Sequence, residues 1–522
     1  MPRPFYITTP IYYVNSVPHL GTAYTTIAAD ALARYHRMLG DDVRFLTGLD
    51  EHGQKVAQAA AEAGVSPQEW VDAIAPKFLE TWRMLGISND DFVRTTEPRH
   101  ERGAQRFLQQ AYDNGYIYRG HYEGWYCVPE ETFFTSEQLV ERRCPDCGRD
   151  VQLVQEDNWF FKLSAFTDAL LAHYEEHPDA VQPETRRNEV VSFLRSGLKD
   201  ISVSRTAFTW GIPLPFDPEH VMYVWYDALL NYITAIGYGS EDPKGKAEFA
   251  RYWPADYHFV GKDIIRFHCV IWPAMLMAAG LPLPKHVFAH GFLLTKGEKM
   301  SKSKGNVMSP AELVDRFGVD AYRYYFLREV QFGLDGSISL DAMVQRYNGD
   351  LANDWGNLVS RLFNMTEKYL GGVVPDRPMG LVTPDDEELM DLAEKLPGMY
   401  EEAMAQLRYS EALEAAWDLV KRTNRYIEDA APWNLAKSEE TRGRLGAVLY
   451  NALEAVRIAA LFTAPVMPGT SAEVWRRLGL AQDVTTVRDL GSSAEWGGLE
   501  PGLRVMKGEP LFPRIYEGGE AS

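Results

Sequence analysis

Residues 4–50 read PFYITTPIYYVNSVPHLGTAYTTIAADALARYHRMLGDDVRFLTGLD, and this stretch decides the fold. PFYITT, residues 4–9, has the make-up of a short buried strand. A turn-rich segment follows through Asn15, Ser16 and Pro18. From Gly21 to about Leu39, the apolar positions Ile27, Ala31, Leu32, Tyr35 and Leu39 recur at helical spacing. VRFLT, residues 43–47, reads as a second strand. Strand, helix and strand in this order predict a parallel β-α-β unit, and with it an α/β fold.

Moving outward, the pattern changes between about Gly115 and Arg205, where aromatic-rich, irregular sequence surrounds a CxxC at Cys144 and Cys147. This segment reads as an insertion between two halves of one sheet. Strand-like runs return near 221–226, 257–261 and 286–290. Beyond Leu351 the spacing is mostly helical, with amphipathic runs near 351–370, 385–406, 410–429 and 442–462. A Pro- and Gly-rich tail begins near Gly491. The expected organisation is therefore a parallel-sheet domain in two halves, 1–114 and 221–290, around an insertion at 115–220. A region at 291–350, a helical domain at 351–490 and a tail at 491–522 complete it.

The bulk numbers exclude some classes. With 522 residues and 46% apolar composition the chain has material for a sizeable core and several domains. Its apolar runs fall short of the ~18 residues a membrane helix needs, and MPRPFYITTP lacks the layout of a secretory signal. Four cysteines do not make a disulfide scaffold, so the CxxC points to metal or redox chemistry and the cytoplasm is the expected location. A net charge of −20 argues against non-specific binding to nucleic acid, yet leaves room for a local basic run.

Two motifs carry chemistry. Pro18-His19-Leu20-Gly21 lies between the first strand and the first helix. A helix start there offers unpaired N–H groups, a glycine admits a ligand to the backbone, and an imidazole can donate to a phosphoryl oxygen. The other reading is a capping turn with an incidental histidine. Lys299-Met300-Ser301-Lys302-Ser303, flanked by Gly297 and Gly305, forms a cationic loop able to close over a triphosphate. Its plain reading is a solvated basic loop. The chain has neither a P-loop nor a GxGxxG, so any ATP is held by another cradle.

Taken together and in this order, PHLG and KMSKS resemble the two signature motifs of class I aminoacyl-tRNA synthetases, which face each other across a split Rossmann fold. FYITTPIYYVNSVPHLG, FLTGLDEHGQK, YVWYDALLNY, FVGKDIIRFHCVIWPAML and APWNLAK extend the likeness, over nearly the whole chain, to the methionyl-tRNA synthetase family. The resemblance implies ATP-dependent activation of L-methionine to methionyl-adenylate, then transfer to the 3′ end of tRNA(Met), with Mg²⁺ accompanying ATP. It implies a methionine pocket of Ile11, Tyr13, Asp50, Trp225, Ala228, Tyr232, Ile264, His268 and Trp272. It places ATP against His19, Gly21, Gly261, Asp263, Gly291, Lys299 and Lys302. Catalysis falls to His19, Gly21, Thr22, Lys299 and Lys302, and the anticodon to Asn357, Arg361 and Trp433 in the C-terminal helices. Sulfur–aromatic packing and a carboxylate for the substrate ammonium group agree in kind with that pocket.

The sequence departs from the family twice. Thr22 stands where the first signature motif ends in a second histidine, so a slow first half-reaction is expected. A four-cysteine zinc knuckle would need a cysteine where Glu130 stands, leaving Cys127, Cys144, Cys147 and Glu130 as ligands of one zinc or none. The alternatives are a class I synthetase for leucine, valine or cysteine, and a non-catalytic tRNA-binding paralogue. The chain ends soon after its helical domain, which leads us to expect a monomer.

Overall fold

The N-terminal β-α-β unit is the centre of a six-stranded parallel sheet in the computed structural model. The model describes residues 2–15, 17–128, 132–134, 136, 138–145, 147–206, 208–295, 298–299, 309–377 and 382–516. The sheet strands are β1 (Pro4–Tyr13), β2 (Asp42–Asp50), β3 (Asp91–Arg94), β4 (Val181–Gln182), β5 (Tyr257–Gly261) and β6 (His286–His290). Their order is β3-β2-β1-β5-β6-β4. Helix α1 (Leu20–Met38) connects β1 to β2. Both sheet faces are buried. In β5, Phe259 joins one apolar core and Val260 the other, as the period of two dictates.

β1 runs to Tyr13, four residues past the expected strand end and through Pro10. The β1–β2 register shifts between Thr8 and Ile11, so Pro10 sits where the ladder needs no N–H. The expected strand near 221–226 is corrected. The strand there is Asp217–Met222, and Val224–Leu229 is helical, followed by a second short helix, Asn231–Thr234. A short apolar run has no period of its own to separate strand from helix.

The insertion contains a four-stranded antiparallel sheet. Its long ladder pairs Ile117–Tyr126 with Gln152–Phe161 and ends beside Cys127. Beyond residue 350 come α2 (Asn357–Leu370), α3 (Pro384–Ala405), α4 (Tyr409–Ala430) and α5 (Arg442–Thr463). By length and composition a window around α5 is apolar enough to cross a membrane, contrary to the expectation from the sequence, but 94% of it is buried within the protein. The C-terminal segment is bound to the same helix. Glu454 accepts from the backbone N–H of Gly497, Gly498 and Leu499 at 2.7, 2.8 and 3.0 Å. Arg457 bonds both Glu454 and the carbonyls of Ser493 and Glu495.

The helical region packs directly on the back of α1. Tyr409 donates to the Ala28 carbonyl at 2.8 Å. The wholly buried Arg323 donates to Asp30 of α1 at 2.6 Å and to the carbonyls of Leu85, Pro465 and Val466. Burial opposes ionisation of Asp30, but Arg34, Arg323 and Ser88 outweigh it and hold the carboxyl well below its ordinary range.

Candidate active site

The strand order reverses between β1 and β5, the point where open α/β sheets bind ligands beyond their carboxyl ends. A cavity of about 530 Å³ opens there. Ile11, Tyr13, Asp50, Trp225, Ala228, Tyr232, Ile264 and His268 all line it, as do His19, Gly21, Thr22, Gly261, Asp263 and Gly291. Tyr13 and Asp50 are register partners at the ends of β1 and β2. Trp225, Ala228 and Tyr232 share one face because the segment is helical, with spacings of three and four. Trp272 does not line the cavity. It is fully buried one layer behind, 5.9 Å from the Tyr232 ring, and donates to His258 Nε2.

His19 is the N-cap of α1, and its Nδ1 accepts from the N–H of Gly21 and Thr22 at 3.1 and 3.4 Å. With Nδ1 accepting, the neutral ring carries its proton on Nε2 and donates from there. Gly21 is required by this fold-back, since a Cβ would lie 3.0 Å from His19 Cε1. Gly291 is required by its neighbours too: a Cβ there would meet the Leu334 carbonyl carbon at 2.3 Å.

Thr22 completes a capping box. Its hydroxyl accepts from the His19 N–H at 3.0 Å and donates to the His19 carbonyl at 2.7 Å. Where the family has a second histidine, the Thr22 hydroxyl here braces the backbone of His19. Thr22→Val should therefore destabilise this turn by about 1 kcal/mol and slow the first half-reaction, with Thr22→Ser near wild type; pre-steady-state rates check this.

Below the cavity, His268 Nδ1 bonds the Ile264 carbonyl at 3.0 Å, so its Nε2 accepts from the Tyr232 hydroxyl at 2.7 Å. Burial lowers the His268 pKa to about 4, keeping it neutral. His290 is fixed similarly between the Gly291 carbonyl and Thr25 of α1, and burial again lowers its pKa.

Several residues that sequence reasoning missed support the pocket. Asp227, between Trp225 and Ala228, accepts from His52 Nδ1 at 2.7 Å and from His100 Nε2 at 2.6 Å, all three buried. Burial pushes the Asp227 carboxyl up, but the charge on His52 and the bonds from both histidines hold it at about 2. Burial also opposes charge on His52, yet Asp227 outweighs it and raises that pKa. A charged residue inside the apolar run VWYDALL was the available signal. Lys55 also lines the cavity, its ammonium group 4.9 Å from the Tyr13 ring centroid. Buried polar atoms on lining residues that lack a hydrogen-bond partner among the described residues include Tyr24 Oη, Trp225 Nε1 and Asn231 Oδ1.

Lys299 lies in a two-residue strand paired with Leu293–Thr295, at the register Leu294↔Lys299. Phe292 and Leu293 line the cavity, so this hairpin starts at its rim. Lys302 and Glu130 lie outside the described residues. The Sγ atoms of Cys127, Cys144 and Cys147 lie within 4.8 Å of one another, far from the cavity in sequence. In the helical region Asn357 and Arg361 are one turn apart on α2, and Arg361 bonds Asn424 and Glu428. Trp433 is 41% exposed on the short helix after the α4 break at Ala431.

A sheet split by an insertion, a histidine-capped helix at its switch point and a helical domain behind it define a class I tRNA synthetase architecture. The comparisons narrow this. Residues 5–156 and 148–363 match the family described as tRNA synthetases class I (M), and residues 374–521 match the anticodon binding domain of methionyl tRNA ligase. The methionine–tRNA ligase of Caldanaerobacter subterraneus subsp. tengcongensis is 54% identical, over 99% of this chain and 79% of that protein. That of Thermotoga maritima is 51% identical, over 98% and 80%. The Mycobacterium tuberculosis methionyl-tRNA synthetase in complex with methionyl-adenylate superposes with a TM-score of 0.93 at 45% identity, covering 98% of this chain and all of that one. The chain belongs to the methionyl-tRNA synthetase family and is an aminoacyl-tRNA ligase.

Proposed function

We propose that the cavity at the switch point binds L-methionine and ATP side by side and joins them as methionyl-adenylate. One observation carries the reading: most of the positions drawn for the amino acid and for the nucleotide, from five separate parts of the chain, line a single cavity. The methionine carboxylate attacks the α-phosphate and pyrophosphate leaves; the terminal adenosine hydroxyl of tRNA(Met) then attacks the carbonyl carbon of the adenylate, the acyl–phosphate bond breaks and AMP leaves. Every bond is made by substrate atoms, so the protein's work is positioning and charge stabilisation. Asp50 anchors the ammonium group, the aromatic wall of Tyr13, Trp225 and Tyr232 packs the thioether, and His19 donates from Nε2 to a phosphoryl oxygen. Gly261, Asp263 and Gly291 line the nucleotide side, and Lys299 and Lys302 of the cationic loop supply positive charge to the phosphates. Mg²⁺ enters with ATP and offsets the charge of its phosphates. Methionine-dependent ATP–pyrophosphate exchange, run beside leucine, valine and cysteine, tests this. Exchange with another amino acid, or with none, overturns it.

For tRNA, an exposed Trp433 with Arg361 and Asn357 supports anticodon reading by stacking and base-edge bonds. Trp433→Ala should leave pyrophosphate exchange near wild type and weaken charging by about 1–3 kcal/mol. Equal loss in both assays would make the ring structural. The reading takes the enzyme to be cytoplasmic and monomeric.

Three converging thiols suit a soft tetrahedral cation, and thiolates with an oxygen ligand hold zinc. Cys127, Cys144, Cys147 and Glu130 would hold one ion, which would staple the end of the long hairpin in the insertion. Elemental analysis should return one zinc per chain and never two, and Glu130→Ala should weaken its retention.

A further inference from the structure

We infer that Trp210 is a positioning residue for methionine: it holds the turn after Asp50 in register with the helix that presents Trp225 and Ala228. The inference rests on the cavity being the methionine site.

The turn at residues 51–53 directly follows Asp50, the last residue of β2. Trp210 grips this turn on both flanks of His52. Its indole Nε1 donates to the Glu51 carbonyl at 2.6 Å, and its own carbonyl accepts from the Gly53 N–H at 3.3 Å. Between these two bonds the indole ring meets the His52 ring edge-on, with centroids 5.4 Å apart. His52 is buried, and its Nδ1 donates to Asp227 at 2.7 Å.

From Trp210 the chain leads to the opposite wall of the pocket. The carbonyl of Ile212, two residues on, accepts from the Met222 N–H at 2.7 Å. Met222 ends the strand Asp217–Met222, and the helix Val224–Leu229 follows with Trp225, Asp227 and Ala228. The contacts thus close a circuit, from the turn to Trp210, along the chain to Met222 and the helix, and through Asp227 back to His52. Asp50 adjoins this circuit, and Trp225 and Ala228 belong to it. A single bond leaves two elements free to pivot about it. A second attachment at a different point fixes their angle as well as their separation, and a binding site needs both. Trp210 does not itself line the cavity, so it acts through the turn and not on the ligand. A thioether side chain is selected mainly by the shape of its pocket, so the spacing of these walls bears on which side chain is accepted.

The test uses the full chain and pyrophosphate exchange with methionine and with ethionine, which is one methylene longer. Trp210→Phe keeps an aromatic ring in place and removes the Nε1 donor. It should raise the KM for methionine about 5-fold, the net worth of one hydrogen bond, with a smaller change in the KM for ATP. The preference for methionine over ethionine should narrow. In an Asp227→Asn background the same change should add little to the KM for methionine, because the circuit is already open. Equal rises in the two KM values, an unchanged preference, or effects that add in full in the double variant would overturn the proposal and make Trp210 a purely structural residue. If the unaltered protein does not use methionine while activating another amino acid, the functional reading falls and this inference with it.

Discussion

Lys302→Ala is expected to slow methionyl-adenylate formation about 100-fold while leaving methionine affinity near wild type. The argument is one of timing. Negative charge builds on the departing pyrophosphate only as the bond to the α-phosphate breaks, so a cation aimed there stabilises the transition state more than the bound substrates. Removing one such group costs roughly 3 kcal/mol. Lys299, three residues earlier, pairs with Leu294 in a hairpin whose first residues line the cavity. Stopped-flow adenylate formation at saturating methionine and ATP separates rate from binding. A raised KM with an unchanged rate would show instead that the lysine serves ground-state ATP binding.

How much of this was legible without coordinates differs by element, for physical reasons. The β-α-β unit could be read because α1 carries apolar residues at helical spacing and β1 and β2 hold short strand-forming runs, PFYITT and VRFLT, on either side of it. Helices α2 and α4 of the C-terminal region were legible on the same ground, long amphipathic periods, whereas α5 is buried on every face from Ala447 onward and is not amphipathic as expected. The run at 221–226 was not, since six apolar or aromatic residues are compatible with either geometry and only packing decides. Trp272 illustrates a second limit: motif likeness places it near the pocket, but whether it lines the cavity or supports the lining depends on the His258 acceptor behind it. The C-terminal segment illustrates a third. Its composition reads as loop, yet the backbone N–H groups of three consecutive residues converge on Glu454, some forty residues earlier. Acceptors that distant in sequence leave no local pattern.

Glu454 and Arg323 show what such long-range bonds accomplish. Each is a charged group taken wholly out of water and surrounded by backbone partners from separate segments. Buried charges are tolerated only with full satisfaction, so each fixes one arrangement of the segments it joins. Through Arg323 and Asp30, the turn at 465–466 after α5 is connected to the helix whose first turn carries His19. The helix capped by His19 is thus held from the side of the helical domain as well as by the sheet.

The buried Asp227 applies the same logic to the methionine pocket, and its removal should have the largest effect on stability. Asp227→Ala leaves His52 and His100 buried without their shared acceptor, and breaking a buried pair from one side costs about 3–5 kcal/mol. Asp227→Asn keeps the shape and loses the charge, which makes the pH dependence informative. Asp227 itself titrates low, at about 2, so its contribution is present above pH 4 and is lost as pH falls toward 2. The His52 pKa is raised, so its contribution is complete below its ordinary value near 6.5 and is lost as pH rises through the raised value. The groups bearing on His52 are Asp227, Glu51, Glu101 and the edge-on Trp210 ring. Glu51 is already bonded by Arg94 and Thr96, so Asp227 is the partner that sets the shift. Wild-type stability should therefore decline from neutral to mildly alkaline pH, and that slope should flatten in Asp227→Asn. Function should follow, because Asp227 lies between Trp225 and Ala228 and holds the helix that presents both. In Asp227→Asn the KM for methionine should rise by more than kcat falls. Denaturant midpoints across pH 5 to 9, beside exchange kinetics, check both halves. An Asp227→Asn protein with the wild-type slope would place the titrating pair elsewhere.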